Sequence, residues 1–313
     1  MLAPFAALLP RRSGVPYGDL ERAAKALRVD PARYQSVDGV EYDLHSPALY
    51  RWVITTPDGA RTVGLVGVFP LDRLIPHEAT TAAAATRPRH SVQIRPVMAL
   101  IDEPLPPMTD LDVSVRFGTQ YAHSLTPVSV GLPVADTAVI ADGHHRVAAA
   151  RRVGGDPGIM TMLVHRGTAV FTAGAFHRVF AVPVRPPLQI PGARLVSESP
   201  MESLAAGRVS IATPDGSVGV EIDPSAVTPE TRGIPAGMVA QVVLPSLGLR
   251  EEDAIYLEDT RTALEAAHYG TAILLPGADV ASVVKAARTG FMLPPKSTRF
   301  RPKPARGFLM RPL

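Results

Sequence analysis

Residues 48–71, ALYRWVITTPDGARTVGLVGVFPL, hold two β-rich runs, YRWVITT and RTVGLVGVF, on either side of PDGA. Asp-Gly between apolar, β-branched runs is turn chemistry, so this stretch predicts an antiparallel hairpin. Residues 137–155, TAVIADGHHRVAAARRVGG, ask for something else: a short apolar strand, a tight loop, then an alanine-rich helix closed by Gly154 and Gly155. Strands and helices intermix in this way along the chain without a regular strand–helix–strand alternation. The fold class expected is therefore mixed α/β (α+β).

Other segments fit that class. DLERAAKALRVD (19–30) reads as the first helix, with Asp19 as its N-cap, and residues 75–87 as a loop entering an Ala-rich helix. SVQIRPVMALID (91–102) and DLDVSVRFG are strand candidates, and Pro96 hints at an edge or a bulge. GIMTMLVHRGTAVFTAGAFHRVFAVP supplies two more strands, the first nearly continuous in apolar residues and so buried. From 184 the texture changes to a hairpin and a helix joined by loops. A helix (260–268), a strand, a further helix and a Pro-rich tail follow. At 313 residues and 46% hydrophobic content, the chain can bury a large core in about two domains. The expected division is 1–183 and 184–313, the second part an α/β lobe ending in a Pro-rich strap.

Several function classes drop out early. There is no cysteine, which removes disulfides, thiolate catalysis and Cys-ligated metals. The net charge of +3 suits a phosphorylated ligand, while no basic stretch or recognition-helix pattern points to nucleic acid. Nearly all cations are Arg; the lysines are Lys25, Lys285, Lys296 and Lys303. In MLAPFAALLPRRSG the apolar run precedes the Arg pair, the wrong order for a secretory signal, and no run approaches the roughly 20 apolar residues of a membrane span. A cytoplasmic protein without a membrane partner is the expectation.

The loop Asp142-Gly143-His144-His145-Arg146 carries the functional signal. At a helix N-terminus, backbone N–H groups lack internal partners and the macrodipole is positive, which favours a phosphate. Gly143 permits positive φ or close approach, His144 and His145 donate hydrogen bonds, and Arg146 offers a bidentate fork. Asp142 has three readings: it caps the helix, orients an imidazole, or coordinates Mg²⁺ beside a phosphate. The rival is a metal site built from His144, His145, His77 and Glu78. The zinc-protease pattern H-E-x-x-H is incomplete, because position 81 is Thr.

ADGHHRVAAA resembles the D-G-H-H-R signature of the bacterial and archaeal family catalogued as domain of unknown function 1015. VPYGDL (15–20), GARTVGLVGVF (59–69), PHEAT (76–80), FHRVF (176–180) and LPPKSTRFRPKPARGFLMRPL (293–313) resemble further blocks of that family, in the same order. The loop is also similar to that of the ParB/sulfiredoxin-like superfamily, where it cradles nucleotide phosphates and where some members are free-serine kinases. The resemblance implies a ParB/sulfiredoxin-like core over 1–183. It also implies ATP or ADP with Mg²⁺ at 142–146, and phosphoryl transfer to a small hydroxylated metabolite such as serine. Sulfiredoxin's own chemistry is excluded, since its cysteine has no counterpart.

Carried over by residue, Asp142 to Arg146 match the signature, and His77, Glu78 and Thr80 match the second block. Glu78 is the candidate general base, ionised at its unperturbed pKa of about 4.3, or else a cap or a partner for a nearby Arg. Thr80 binds phosphate or caps the following helix. Lys296, Ser297 and Thr298 look like the end of a P-loop, but prolines precede them where glycines are required; they reach a phosphate from a neighbouring loop or belong to a packing strap. The chain departs from the family at TAAAATRPRH and at VQIRP, where Gln93 and Arg95 stand in for a different motif. Two alternatives use the same site: a phosphatase with His144 or His145 as acid or nucleophile, and a non-catalytic nucleotide-binding regulatory module. Trp52 reads as core, and His177 and Arg178 as strand residues.

Overall fold

The computed structural model describes residues 1–26, 36–37, 39–80, 92–111, 115–118, 121–131, 134–168, 172–185 and 189–312. The predicted Ala-rich helix after residue 80 and the end of the first predicted helix lie outside them. The chain forms two compact units. One comprises Met1–Pro76, Thr80–Phe171 and Pro302–Leu313; the other comprises His77–Ala79 and Thr172–Arg301. The division thus falls at 171/172 rather than at 183. The reason is pairing: Thr172–Gly174 makes an antiparallel ladder with Arg299–Arg301, and His177–Phe180 is a strand of the second unit's main sheet. A boundary read from texture cannot register a ladder between segments so far apart in sequence.

In the first unit the predicted hairpin forms. Val40–Thr55 pairs with Arg61–Pro70, Thr55 opposite Arg61, around a turn in which Gly59 takes φ 86° and donates to the Thr56 carbonyl. These strands lie within an eleven-stranded sheet. Its main path runs Leu74–Ile75, Ala138–Asp142, Val97–Ile101, Gly158–His165, Arg61–Pro70, Val40–Thr55, Ala122–Val130, Met108–Asp110. Two neighbouring pairs are parallel and the others antiparallel, so the sheet is mixed. The helix His144–Val153 contributes Val147 to a core with Leu65, Phe69, Ala99, Ile140 and Leu163. Each of these side chains other than that of Ala99 stabilises by roughly 1.5–3 kcal/mol when fully buried.

One strand is new and one local expectation changes. Phe5–Pro10 is a strand paired with Val40–Thr55, although Pro4 and Pro10 punctuate it. The first helix starts at Tyr17, and the amides of Asp19 and Leu20 already bond to the Pro16 carbonyl. Asp19 is therefore a first-turn acid rather than the N-cap.

The second unit is built on a fully antiparallel six-stranded sheet: Ala193–Val196, Gly216–Ile222, Val209–Thr213, Thr271–Leu274, His177–Phe180, Ile255–Leu257. Helices Thr260–Ala266 and Val280–Arg288 are N-capped by Asp259 and Asp279, whose carboxylates accept the amides of Thr262 and Ser282. A helical run from Pro235 to Leu247 includes a π-turn at Val239–Val243. The fold class is mixed α/β. Among the described residues no helix is long and apolar enough to cross a membrane.

Candidate functional site

Asp142 ends a buried strand, and its position is set by an irregularity: the register against Val97–Ile101 shifts between Ile140 and Asp142. Such a bulge re-aims the residue that follows it. The carboxylate meets three cations from three separate segments. Lys303 Nζ donates to Oδ1 at 2.7 Å, while Arg95 and Arg146 donate to Oδ2 at 2.9 Å and 2.8 Å. Arg146 also donates to the Arg95 carbonyl oxygen. The Asp142 side chain is only 12% exposed, so water does little to screen the group. Burial alone would raise its pKa. The charges of Arg95, Arg146 and Lys303 together outweigh that and hold the carboxyl far below the ordinary range. Burial, and next the neighbouring Arg95, bring the Arg146 guanidinium down to about 9, against the pull of Asp142.

Gly143 is the helix N-cap residue, with φ 113° and ψ 18°. A Cβ there would lie 2.9 Å from Arg146 Nη2 and 3.1 Å from Val97 Cγ2. Glycine is thus required twice, for the backbone conformation and for the space the guanidinium fills. No side chain caps the helix. The capping reading of Asp142 gives way because its carboxylate is turned to the three cations. His144 faces the buried side of the helix with Val147, and His145 is half-buried.

The structure brings His77, Glu78 and Thr298 together, all within the second unit. Glu78 forms an isolated parallel bridge with Leu293, flanked by hydrogen bonds from Leu293 N to the His77 carbonyl and from Ala79 N to the Leu293 carbonyl. Glu78 Oε1 accepts both the amide of Thr298, at 2.7 Å, and its hydroxyl. His77 Nε2 lies 2.9 Å from that hydroxyl oxygen. Because the hydroxyl gives its one proton to Glu78, the imidazole must be the donor on this edge. All three side chains are buried.

The loop carrying Thr298 is fastened at each step. Ser297 is buried and donates to the Pro294 carbonyl. Lys296 has φ 59°, the one positive φ outside glycine among the described residues, and its ammonium sits 4.9 Å above the Phe176 ring. The fully buried Arg178 donates to the carbonyls of Phe176, Lys296 and Pro295, pairs with Glu251 at 3.1 Å, and stacks on Tyr256. Thr80 is half-buried and belongs with the first unit.

The donor set at Asp142 does not fit Mg²⁺. A phosphate-bound magnesium ion takes carboxylate oxygens, and both oxygens of Asp142 already face cations. Among the described residues no three His, Asp or Glu side chains are grouped as metal ligands would be. Sequence reasoning missed Lys303 altogether and left Arg95 without a role. The available signal was rarity: in a chain whose cations are nearly all Arg, two of four lysines stand in the Pro-rich tail.

No family model matches the chain, and no curated protein matches it. Solved structures do show likeness. A conserved hypothetical protein from Pyrococcus furiosus is 13% identical with a TM-score of 0.47, over 77% of this chain and 94% of that one. A free serine kinase in complex with AMP is 14% identical with a TM-score of 0.46, over 77% of this chain and 90% of that one. A mutant free serine kinase in complex with ADP is 14% identical with a TM-score of 0.47, over 81% of this chain and 94% of that one. Likeness at this level assigns no activity to the chain.

Proposed function

We propose that the Asp142 cluster binds the phosphate groups of a nucleotide, and that the chain transfers a phosphoryl group from ATP or ADP to the hydroxyl of a small metabolite such as serine. One observation carries the reading. Among the described residues three half-buried cations share a single carboxylate, leaving two positive charges in excess. Like charges gathered where water is partly excluded repel one another, and an anion joining them relieves that repulsion. A phosphate supplies that charge and accepts the N–H donors. The positive end of the helix at Gly143 adds to the attraction. The resemblance of ADGHHRVAAA to the phosphate-cradling loop of the ParB/sulfiredoxin-like superfamily supports the same ligand class.

Catalysis of phosphoryl transfer is mostly positioning and charge neutralisation, which is what Arg95, Arg146 and Lys303 offer. Glu78 is the base of this reading: its carboxylate accepts a hydroxyl proton in a hydrogen bond, the contact an acceptor alcohol makes before transfer. A regulatory module that binds nucleotide without turnover is the second reading. The observation that favours it is the occupation of Glu78 by the unit's own Thr298.

A thermal-shift screen of the full chain against ATP, ADP, AMP, CTP, phosphate and phosphoserine, followed by product analysis with serine, tests both. A nucleotide at about 100 times its Kd stabilises by roughly 2.7 kcal/mol, and Arg146→Ala removes the shift. Glu78→Gln then abolishes product while nucleotide binding persists. Binding without product in the unaltered chain selects the regulatory module, and no shift with any phosphate compound overturns both readings.

A further inference from the structure

Lys303 and Arg95 reach Asp142 from segments that are themselves tied down. Ahead of Arg95, the side chain of Gln93 accepts the Met160 amide, and Gln93 pairs with Arg311 across a short ladder. Beyond Lys303, the Gly307 amide donates to the Ile94 carbonyl, its carbonyl accepts the Tyr42 hydroxyl, and Arg311 pairs with Asp156 at 2.9 Å. The cations are held in place before any ligand arrives, so binding need not order them.

Resting on the phosphate reading of this cluster, we propose that it takes its phosphate group uncomplexed by any divalent cation, with Lys303 and Arg95 supplying the charge that Mg²⁺ supplies in many nucleotide sites. The ligand class is a phosphate monoester or nucleotide whose bound phosphate enters as a free dianion. Charge balance supports this: among the described residues three cations less one carboxylate leave two positive charges, the complement of one dianion, and Arg306, whose charge also reaches Arg146, is offset by its pairing with Glu21 at 3.7 Å. Ligand supply supports it too. Asp142 is the one carboxylate of the cluster, with Lys303 on Oδ1 and Arg95 and Arg146 on Oδ2. A divalent ion entering there would displace permanent cations and face their repulsion at close range. The phosphate needs no such ion, because fixed N–H donors already meet its oxygens.

Isothermal titration of the full chain with ADP and with inorganic phosphate, once in EDTA and once in excess Mg²⁺, tests the proposal without any variant. The expected result is binding in EDTA with a Kd within about threefold of that in Mg²⁺. Lys303→Gln, shown folded by its circular dichroism and melting curve, weakens ADP in EDTA by about tenfold or more, and Lys303→Arg restores most of the affinity. Binding that is lost in EDTA and restored by Mg²⁺ overturns metal independence and leaves the phosphate reading standing. Unchanged affinity in Lys303→Gln overturns the role given to Lys303. Absence of binding in both buffers overturns the proposal together with the reading beneath it.

Discussion

Arg178 is a fully buried guanidinium and Arg146 a half-buried one, and their surroundings could hardly differ more. Arg178 has three backbone carbonyls, a carboxylate and an aromatic face to itself. Among the described residues Arg146 has one carbonyl, and shares one carboxylate with Arg95 and Lys303. A buried cation whose acceptors are all supplied by the fold is part of the fold. A half-buried cation in a group with too few acceptors is, on the function proposed above, the one that takes an acceptor from outside.

The largest test of this contrast is Arg178→Ala. It strips Glu251 of its buried partner and releases the carbonyls of Pro295 and Lys296, and is expected to cost about 3–5 kcal/mol in chemical denaturation. Arg146→Ala leaves Asp142 with two cations and relieves their crowding, so its stability loss should be far smaller while ligand binding disappears. Equal losses of stability in the two variants would break the distinction.

Acid titration sharpens it. Burial holds His123, which accepts the Trp52 indole N–H at 3.1 Å, down at about 4. His177, which accepts the Leu275 amide, is held at about 4 by burial first and Arg178 second. Both have lower pKa values folded than unfolded, so their contribution is complete above about pH 6.5 and is lost as pH falls towards 4. For His123 this is on the order of 3 kcal/mol. Asp142, whose pKa is depressed, keeps its contribution until pH falls below its unfolded value of about 3.9. Stability measured from pH 7 to 3 should therefore fall first through the histidines and only then through the Asp142 cluster. His123→Gln should flatten the first phase and leave the second.

The smallest effect belongs to Gly143→Ala. A left-handed conformation for a residue with a Cβ costs about 1–2 kcal/mol, and here the Cβ also meets the Arg146 guanidinium. A modest drop in melting temperature with a loss of phosphate affinity of about tenfold or more is expected, because the donor is displaced. If affinity is untouched, Arg146 is not a phosphate donor.

What could be read in advance was whatever the chain settles locally. The PDGA hairpin needs only neighbouring residues, and the strand–loop–helix around Gly143 needs only the loop and the helix it opens. Both form as predicted. The functional meaning of Asp142 was not local: one of its partners is 161 positions away, on Lys303. Glu78 meets Thr298 across 220 positions. A motif shows which groups are unusual, but it does not show which of them the fold will neutralise. For the same reason the Phe5–Pro10 strand was missed, since its pairing with Val40–Thr55 outweighs the prolines at its ends.

The first unit owns residues on both sides of the second. Phe308 and Met310 are fully buried in it, and the lone tryptophan, Trp52, packs edge-on against Phe308 at 5.0 Å. During synthesis every residue of the second unit therefore leaves the ribosome before the first can be finished. The earlier-made part of the first unit must wait for the segment that carries Lys303 and Phe308 before its core can close. The emission of Trp52 is a built-in clock for that closing step.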